Sequence, residues 1–402
     1  DINTDNSENV GGEENEISWS LDSDGVLTVE GNGEIKKECF ASNNKITSVI
    51  ISDGIVSVGE NAFKDCVNLK KVSIGKDVSK IERLAFGGCS RLLEICVSDE
   101  NQHFSSENWI LFNKDKTEII KYPSAKEEEL YVIPQSVITV GEYSFEKAIY
   151  LYTITIGKNV QNIESGAFSG CVCLEKAEIP ENVVSVGENS FSGCLGISSV
   201  YFGKGLVSIG DNAFRDCRNL SSVSWNNSIS SVGAYAFYGT NLSFVIVPKS
   251  VVFVGDNAFG YTYTSRYEIK YNFILYGERC SSAEKYADSE GIMFIESRLK
   301  PVGNIASTGY CGEKAYYAYY EGNVIVVSGN GAIEEKAFYN RSYIKFVVIG
   351  DGITSVGASA FSSCDVLSSV ELGNGVETIG KSAFTYCTAL TNITIPENVL
   401  SI

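Results

Sequence analysis

Ser57-Val58-Gly59-Glu60-Asn61-Ala62-Phe63-Lys64-Asp65-Cys66-Val67-Asn68-Leu69-Lys70-Lys71-Val72-Ser73-Ile74-Gly75 decides how this chain folds, because it keeps returning. Phe63 and Phe86 lie 23 residues apart, as do Phe168, Phe191, Phe214 and Phe237, and again Phe338, Phe361 and Phe384. Phe259 follows Phe237 by 22. Three residues after the phenylalanine comes cysteine, at Cys66, Cys89, Cys171, Cys194, Cys217, Cys364 and Cys387. An aliphatic residue follows, then alternation as in Leu69-Lys70-Lys71-Val72-Ser73-Ile74, then a turn with Gly75 or Pro180. A coil of this length cannot bury its own apolar positions and must stack on its neighbours, which gives a continuous core. The alternation predicts a short strand, with Val72 and Ile74 inward and Lys71 and Ser73 outward. Stacked coils pair these strands in parallel, about 4.8 Å apart. The phenylalanines should form an internal stack. The repeated glycine marks either a positive φ or a close approach to the next coil.

The frame resembles the BspA-type leucine-rich repeat, a family of secreted and cell-surface proteins of microbes that live with animal hosts. The resemblance extends over nearly the whole chain. It implies an α/β-type repeat solenoid, mostly β, with leucine-rich repeats of about 23 residues, a parallel strand per coil and β-hairpin opening modules. It also implies attachment to host matrix proteins or cells.

The rhythm stops near residue 260. A short helix is expected at 282–289, in Ser282-Ala283-Glu284-Lys285-Tyr286-Ala287-Asp288-Ser289. It resembles the family's closing unit, and a cap there would cover core and strand edges. The opening module then recurs. Trp19-Ser20-Leu21 through Gly31-Asn32-Gly33 is matched by Tyr317-Ala318-Tyr319 through Gly329-Asn330-Gly331, at an offset of 298. Four segments are expected: a polar tail over 1–16, a first array with cap over 17–298, a linker over 299–308, and a second array over 309–402, incomplete at its C-terminus. The chain starts at Asp1 without methionine, which reads as a mature or engineered start with any targeting segment removed. Its last coil stops at Ile402 before the expected glycine and phenylalanine, which reads either as a protein that continues, the favoured reading, or as an end cut away. One coil is longer. Between Cys96 and Gly141, Trp109-Ile110-Leu111-Phe112 and Glu118-Ile119-Ile120-Lys121-Tyr122-Pro123 flank a polar turn and predict a hairpin protruding over one coil edge.

Net charge is −18. Nucleic acid and anionic membranes gain no counterion release from such a chain, so neither is expected as a partner. No stretch approaches the roughly 18 apolar residues of a membrane-spanning helix, so no direct membrane insertion is expected. His103 is the single histidine, which removes most acid–base and metal chemistry at neutral pH. It sits in Asn101-Gln102-His103-Phe104, where a surface or loop-packing role is the simpler reading. Twelve cysteines could suggest disulfides, but seven obey the repeat period. A catalytic or metal-binding thiol has no reason to do so, whereas a buried packing thiol does. Cys171 and Cys173 lack a second pair or a histidine nearby, so no zinc site is expected. Cys39, Cys96, Cys280 and Cys311 lie outside the ladder, and a bridge between Cys280 and Cys311 stays open. Asp22-Ser23-Asp24-Gly25 begins like a calcium loop, but Val26, Leu27 and Val29 stand where ligands should follow, so a tight turn is expected.

No catalytic residue, metal ligand or cofactor is expected. The leading reading is a secreted or surface-attached binding module that recognises a protein through the solenoid face. The alternative is a structural spacer presenting another domain. A binding face needs an aromatic and polar cluster, and the outward row richest in one is Ser199, Tyr201, Ser222, Ser224, Phe244 and Ile246. Within it, Phe244 and Ile246 could instead pack under a loop or the 260–275 segment.

Overall fold

The computed structural model describes residues 17–261, 273–301 and 303–402. The tail expected over 1–16 and most of the 260–275 segment lie outside the described residues. Two compact units emerge, one of residues 1–241 and 253–268, the other of 242–252 and 269–402.

The first unit opens with an antiparallel hairpin, Ile17–Leu21 on Val26–Gly31. Val26–Gly31 then takes Ser48–Ile51 as a parallel neighbour, followed by Lys71–Ile74 and Glu94–Val97. Each of these strands alternates as the sequence requires. In Lys71–Ile74, Lys71 is exposed, Val72 and Ile74 are buried, and Ser73 is half-buried. Hydrophobic burial of one face fixes the register, because a one-residue slip would turn the apolar set outward. The coils also carry a second strand that the sequence reading did not foresee, often only two residues long. These make one sheet of Gly33–Ile35, Ile55–Val58 and Lys80–Ile81, and a nine-stranded sheet running from Phe104–Glu107 to Phe253–Val254.

Between the two strands of a coil lies the phenylalanine turn. The rings stack coil on coil: Phe168 to Phe191 at 5.0 Å, Phe191 to Phe214 at 5.2 Å, Phe214 to Phe237 at 5.3 Å. Phe40 and Trp19 extend the stack at its start. The turn backbone is laddered as well. Phe63 N–H donates to Ala85 O at 2.8 Å, and Phe191 N–H donates to Ala213 O at 2.8 Å. Gly59 is there for the close approach: a Cβ would lie 2.6 Å from Ile35 O. The positive φ falls two residues later, at Asn61, Asn189, Asn212 and Asn257. Asparagine tolerates that region better than most side chains, which accounts for its recurrence two residues before the phenylalanine.

The long coil does not protrude. Ile110–Asn113 pairs antiparallel with both Phe104–Glu107 and Glu118–Lys121, and the last of these joins Thr139–Val140 in parallel. Ile110, Leu111 and Phe112 are buried. Tyr122 takes the phenylalanine's place, its ring 4.8 Å from that of Phe145. The reason is apolar content: three consecutive buried side chains cannot be left on a protruding ribbon.

In the second unit, Phe244–Ile246, Ile274–Gly277 and Met293–Glu296 form a parallel sheet with the helix Ser282–Glu290. Ser281 caps the helix start by accepting from Glu284 N–H, and Gly291 ends it at φ 68. In the recurring opening module, Ile305–Tyr310 lies antiparallel to Ala315–Tyr320, which pairs with Val324–Gly329. Residues 305–308, expected within a linker, are therefore strand. The cap groups with the coil of residues 242–252 and with the second array. Ile274, Tyr276, Ile295 and Leu299 share an apolar cluster with Ala318, Tyr320 and Val326, and Arg298 pairs with Asp351 at 2.6 Å. A second phenylalanine stack runs through Phe338, Phe361 and Phe384.

Candidate protein-binding face

Every second side chain of a face strand is presented to solvent. In Lys176–Ile179 these are Lys176 and Glu178, and in Ser199–Phe202 Tyr201 is exposed while Val200 and Phe202 are buried. Registration puts Lys176 beside Ser199 and Ser199 beside Ser222, and Glu178 beside Tyr201 and Tyr201 beside Ser224. Ser199, Tyr201, Ser222 and Ser224 thus share one three-stranded sheet of the first unit. Tyr201 is 49% exposed, with a carboxylate on one side and a hydroxyl on the other.

Phe244 and Ile246 belong to a different sheet, in the second unit. Both are exposed, and Val245 between them is buried. The Phe244 ring is engaged by its own unit. Lys300 Nζ stands 4.2 Å from its centroid, and Tyr276 meets it edge-on at 5.8 Å. Lys300 comes from the segment expected to be linker, so part of this ring is spent on local packing.

More apolar surface lies upstream of the expected row. Among the described residues, strand Leu130–Val132 pairs on one side only, with Thr153–Thr155. Leu130 is 54% and Val132 58% exposed, while Tyr131 between them is buried. Tyr150 and Tyr152 are exposed nearby in the chain. A cavity of about 280 Å³ lies between Thr153–Thr155 and Lys176–Ile179, lined by Tyr152, Glu175, Lys176 and Glu178 among others. The sequence reading missed Leu130, Val132, Tyr150 and Tyr152. The signal existed: Leu130-Tyr131-Val132 precedes Thr153-Ile154-Thr155 by one 23-residue repeat.

All twelve cysteines are free. The ladder thiols are buried, and each donates to the phenylalanine carbonyl of the preceding coil. Cys66 Sγ lies 3.1 Å from Phe40 O, Cys194 Sγ 3.1 Å from Phe168 O, and Cys364 Sγ 3.2 Å from Phe338 O. Burial pushes the Cys66 thiol up to about 11 and the Cys89 thiol up to about 12. Cys280 is exposed and Cys311 buried. Among the described residues, no three or more His, Cys, Asp or Glu side chains are grouped as metal ligands, and no helix is long and apolar enough to cross a membrane. The site offers shape, aromatic rings and hydrogen-bonding groups.

The BspA type leucine rich repeat region matches in six copies, over residues 28–130, 138–266 and 310–402. The chain belongs to this family. A leucine-rich repeat protein from Bacteroides ovatus is similar at 22% identity, covering 98% of this chain and 90% of its own, with a TM-score of 0.44. One from Eubacterium ventriosum is 24% identical, covering 64% of this chain and 95% of its own, with a TM-score of 0.41. A leucine rich cell surface protein from Faecalibacterium prausnitzii is 19% identical, covering all of this chain and 86% of its own, with a TM-score of 0.26. No curated protein matches.

Proposed function

We propose that this BspA-type protein is a secreted or cell-surface adhesion module that recognises a host matrix or cell-surface protein, and that it is not an enzyme. The observation that carries this reading is the exposure of Leu130, Val132, Tyr152 and Tyr201 along the strands of the first unit. Aromatic and aliphatic anchors of this kind dominate interface energies, and a polar rim of Glu178, Ser199, Ser222 and Ser224 suits their surroundings. Family membership supports protein binding in general. Phe244 and Ile246 are a second contact, presented by their own sheet. The spacer reading is favoured by the small side chains of Ser222 and Ser224, which offer a partner little area.

The deciding experiment compares the chain with a Tyr201→Ala, Phe244→Ala double variant for adhesion to immobilised matrix proteins and host cells. Single variants apportion any loss between the two sheets. Loss of about tenfold or more in affinity, at unchanged thermal unfolding, is expected for an anchor residue. Unchanged adhesion by the folded double variant would remove these residues from the contact. Failure of the unmodified chain to adhere to any surface would leave the spacer as the better account.

A further inference from the structure

The long coil leaves a hole in the turn ladder of the first unit. Val140 and Ile119 are in register, and Phe145 and Tyr122 stack. Residues 141–144 connect the first pair of landmarks, whereas only 120–121 connect the second, so this turn is two residues shorter. In the preceding coil, Asn61, Phe63 and Asp65 donate their N–H groups to Arg83, Ala85 and Gly87. The equivalent donors one coil on are Leu84, Phe86 and Gly88, and the shortened turn cannot receive them. Gly88 N–H is taken instead by Glu146 Oε2 at 3.0 Å. Leu84 and Phe86 N–H have no hydrogen-bond partner among the described residues. Phe86 is buried and Leu84 half-buried, and unpaired N–H groups shielded from water are rare and costly.

A cavity of about 350 Å³ stands where the missing residues would be, lined by Arg83, Leu84, Phe86, Glu118, Lys121 and Glu142 among others. Lys121 is buried. Its ammonium has three donors, and one goes to Tyr143 O at 3.2 Å, while Glu146 at 4.0 Å is beyond hydrogen-bond reach. Glu142 is already paired with Arg83 at 2.7 Å. Glu118 is half-buried and has no ion-pair partner among the described residues, and burial raises its pKa. One wall therefore lacks acceptors and the other lacks a cation.

We propose that this cavity binds a free α-amino acid, its carboxylate held by Leu84 N–H, Phe86 N–H and Lys121 Nζ, and its ammonium by Glu118. The two charges of such a zwitterion match the two unmet walls, and small-molecule pockets of this volume are ordinary. This site is separate from the proposed binding face and does not depend on it.

The test is calorimetric titration of the whole chain with a panel of the common L-amino acids, with acetate and methylamine as single-charge probes. At least one amino acid is expected to bind at least about tenfold tighter than either probe. Glu118→Gln, at a half-exposed position that keeps the fold, is expected to weaken that binding about tenfold or more. Lys121→Met is expected to do the same. Should Lys121→Met fail to fold, Glu118→Gln decides. No binding by any amino acid would overturn the proposal and leave water as the occupant. Acetate binding as tightly as the amino acids, or unchanged binding by folded Glu118→Gln, would overturn it equally.

Discussion

At the scale of single residues, the phenylalanine and the cysteine do different work that the repeat ties together. Phe214 is wholly buried, with rings above and below at 5.2 and 5.3 Å and Phe202 edge-on at 5.8 Å. Phe214→Ala should cost about 3–5 kcal/mol, since neighbouring coils held by backbone ladders cannot collapse into the space. Denaturant unfolding measures this, and a loss below about 1 kcal/mol would show that the ring is not core. The stack was legible in the sequence because 23-residue spacing admits no other arrangement of so large a side chain. The cysteine was legible as a small buried residue, but not as a donor to the preceding coil's phenylalanine carbonyl. That bond spans 26 residues and depends on a turn geometry that no local pattern encodes. Both roles make the thiols inert. Cys66, Cys89, Cys171, Cys194 and Cys217 should label slowly with thiol reagents in the folded state and fully after unfolding. Rapid stoichiometric labelling of native protein at these five positions would contradict their burial. Exposed Cys280 serves as the internal control.

At the scale of elements, regular coils read well and irregular ones poorly. The face strands, the opening hairpins and the helix at 282–290 each follow from a local pattern: alternation, a tight turn, or a serine cap with a closing glycine. The long coil escaped because its repeat position carries tyrosine, and because the turn before it is shortened. Tyr122 is as buried as any phenylalanine of the stack, and its hydroxyl reaches Glu128 at 3.1 Å. Tyr122→Ala should therefore cost about 3–5 kcal/mol, like loss of a stacked phenylalanine. Tyr122→Phe keeps the ring and loses one hydrogen bond, at a cost of about 1 kcal/mol. Unfolding of the two variants distinguishes a stack member from a loop tyrosine, for which both costs would be small. The candidate face was half-legible for the same reason. Tyr201 stands in a regular coil, where alternation predicts its exposure. Leu130 and Val132 follow the long coil, where the count of residues had been lost.

For the whole molecule, the repeat converts one local property into a collective one. Buried thiols recur along the coils, and the desolvation that raises each is the same: to about 11 at Cys66 and to about 12 at Cys89 and Cys311. Tyr276 is raised to about 12 as well. These groups hold protons in the folded chain that the unfolded chain releases near pH 9 for thiols and about 10 for phenols. Above the unfolded values the unfolded state binds fewer protons, so stability must fall as pH rises. The contribution is complete below about pH 8 and is lost progressively between about pH 9 and 12. Self-repulsion acts in the same direction, because a chain at −18 becomes more negative as lysines discharge. Salt separates the two causes. Repulsion between exposed charges is screened within about 3 Å at 1 M salt, whereas the penalty for a buried thiolate is not. Urea midpoints at pH 8 and pH 10.5 should therefore fall, and most of the fall should persist in 1 M salt. Equal midpoints at the two pH values would mean that the thiols titrate freely. A fall abolished by salt would assign the effect to surface charge and remove the thiol ladder from the account.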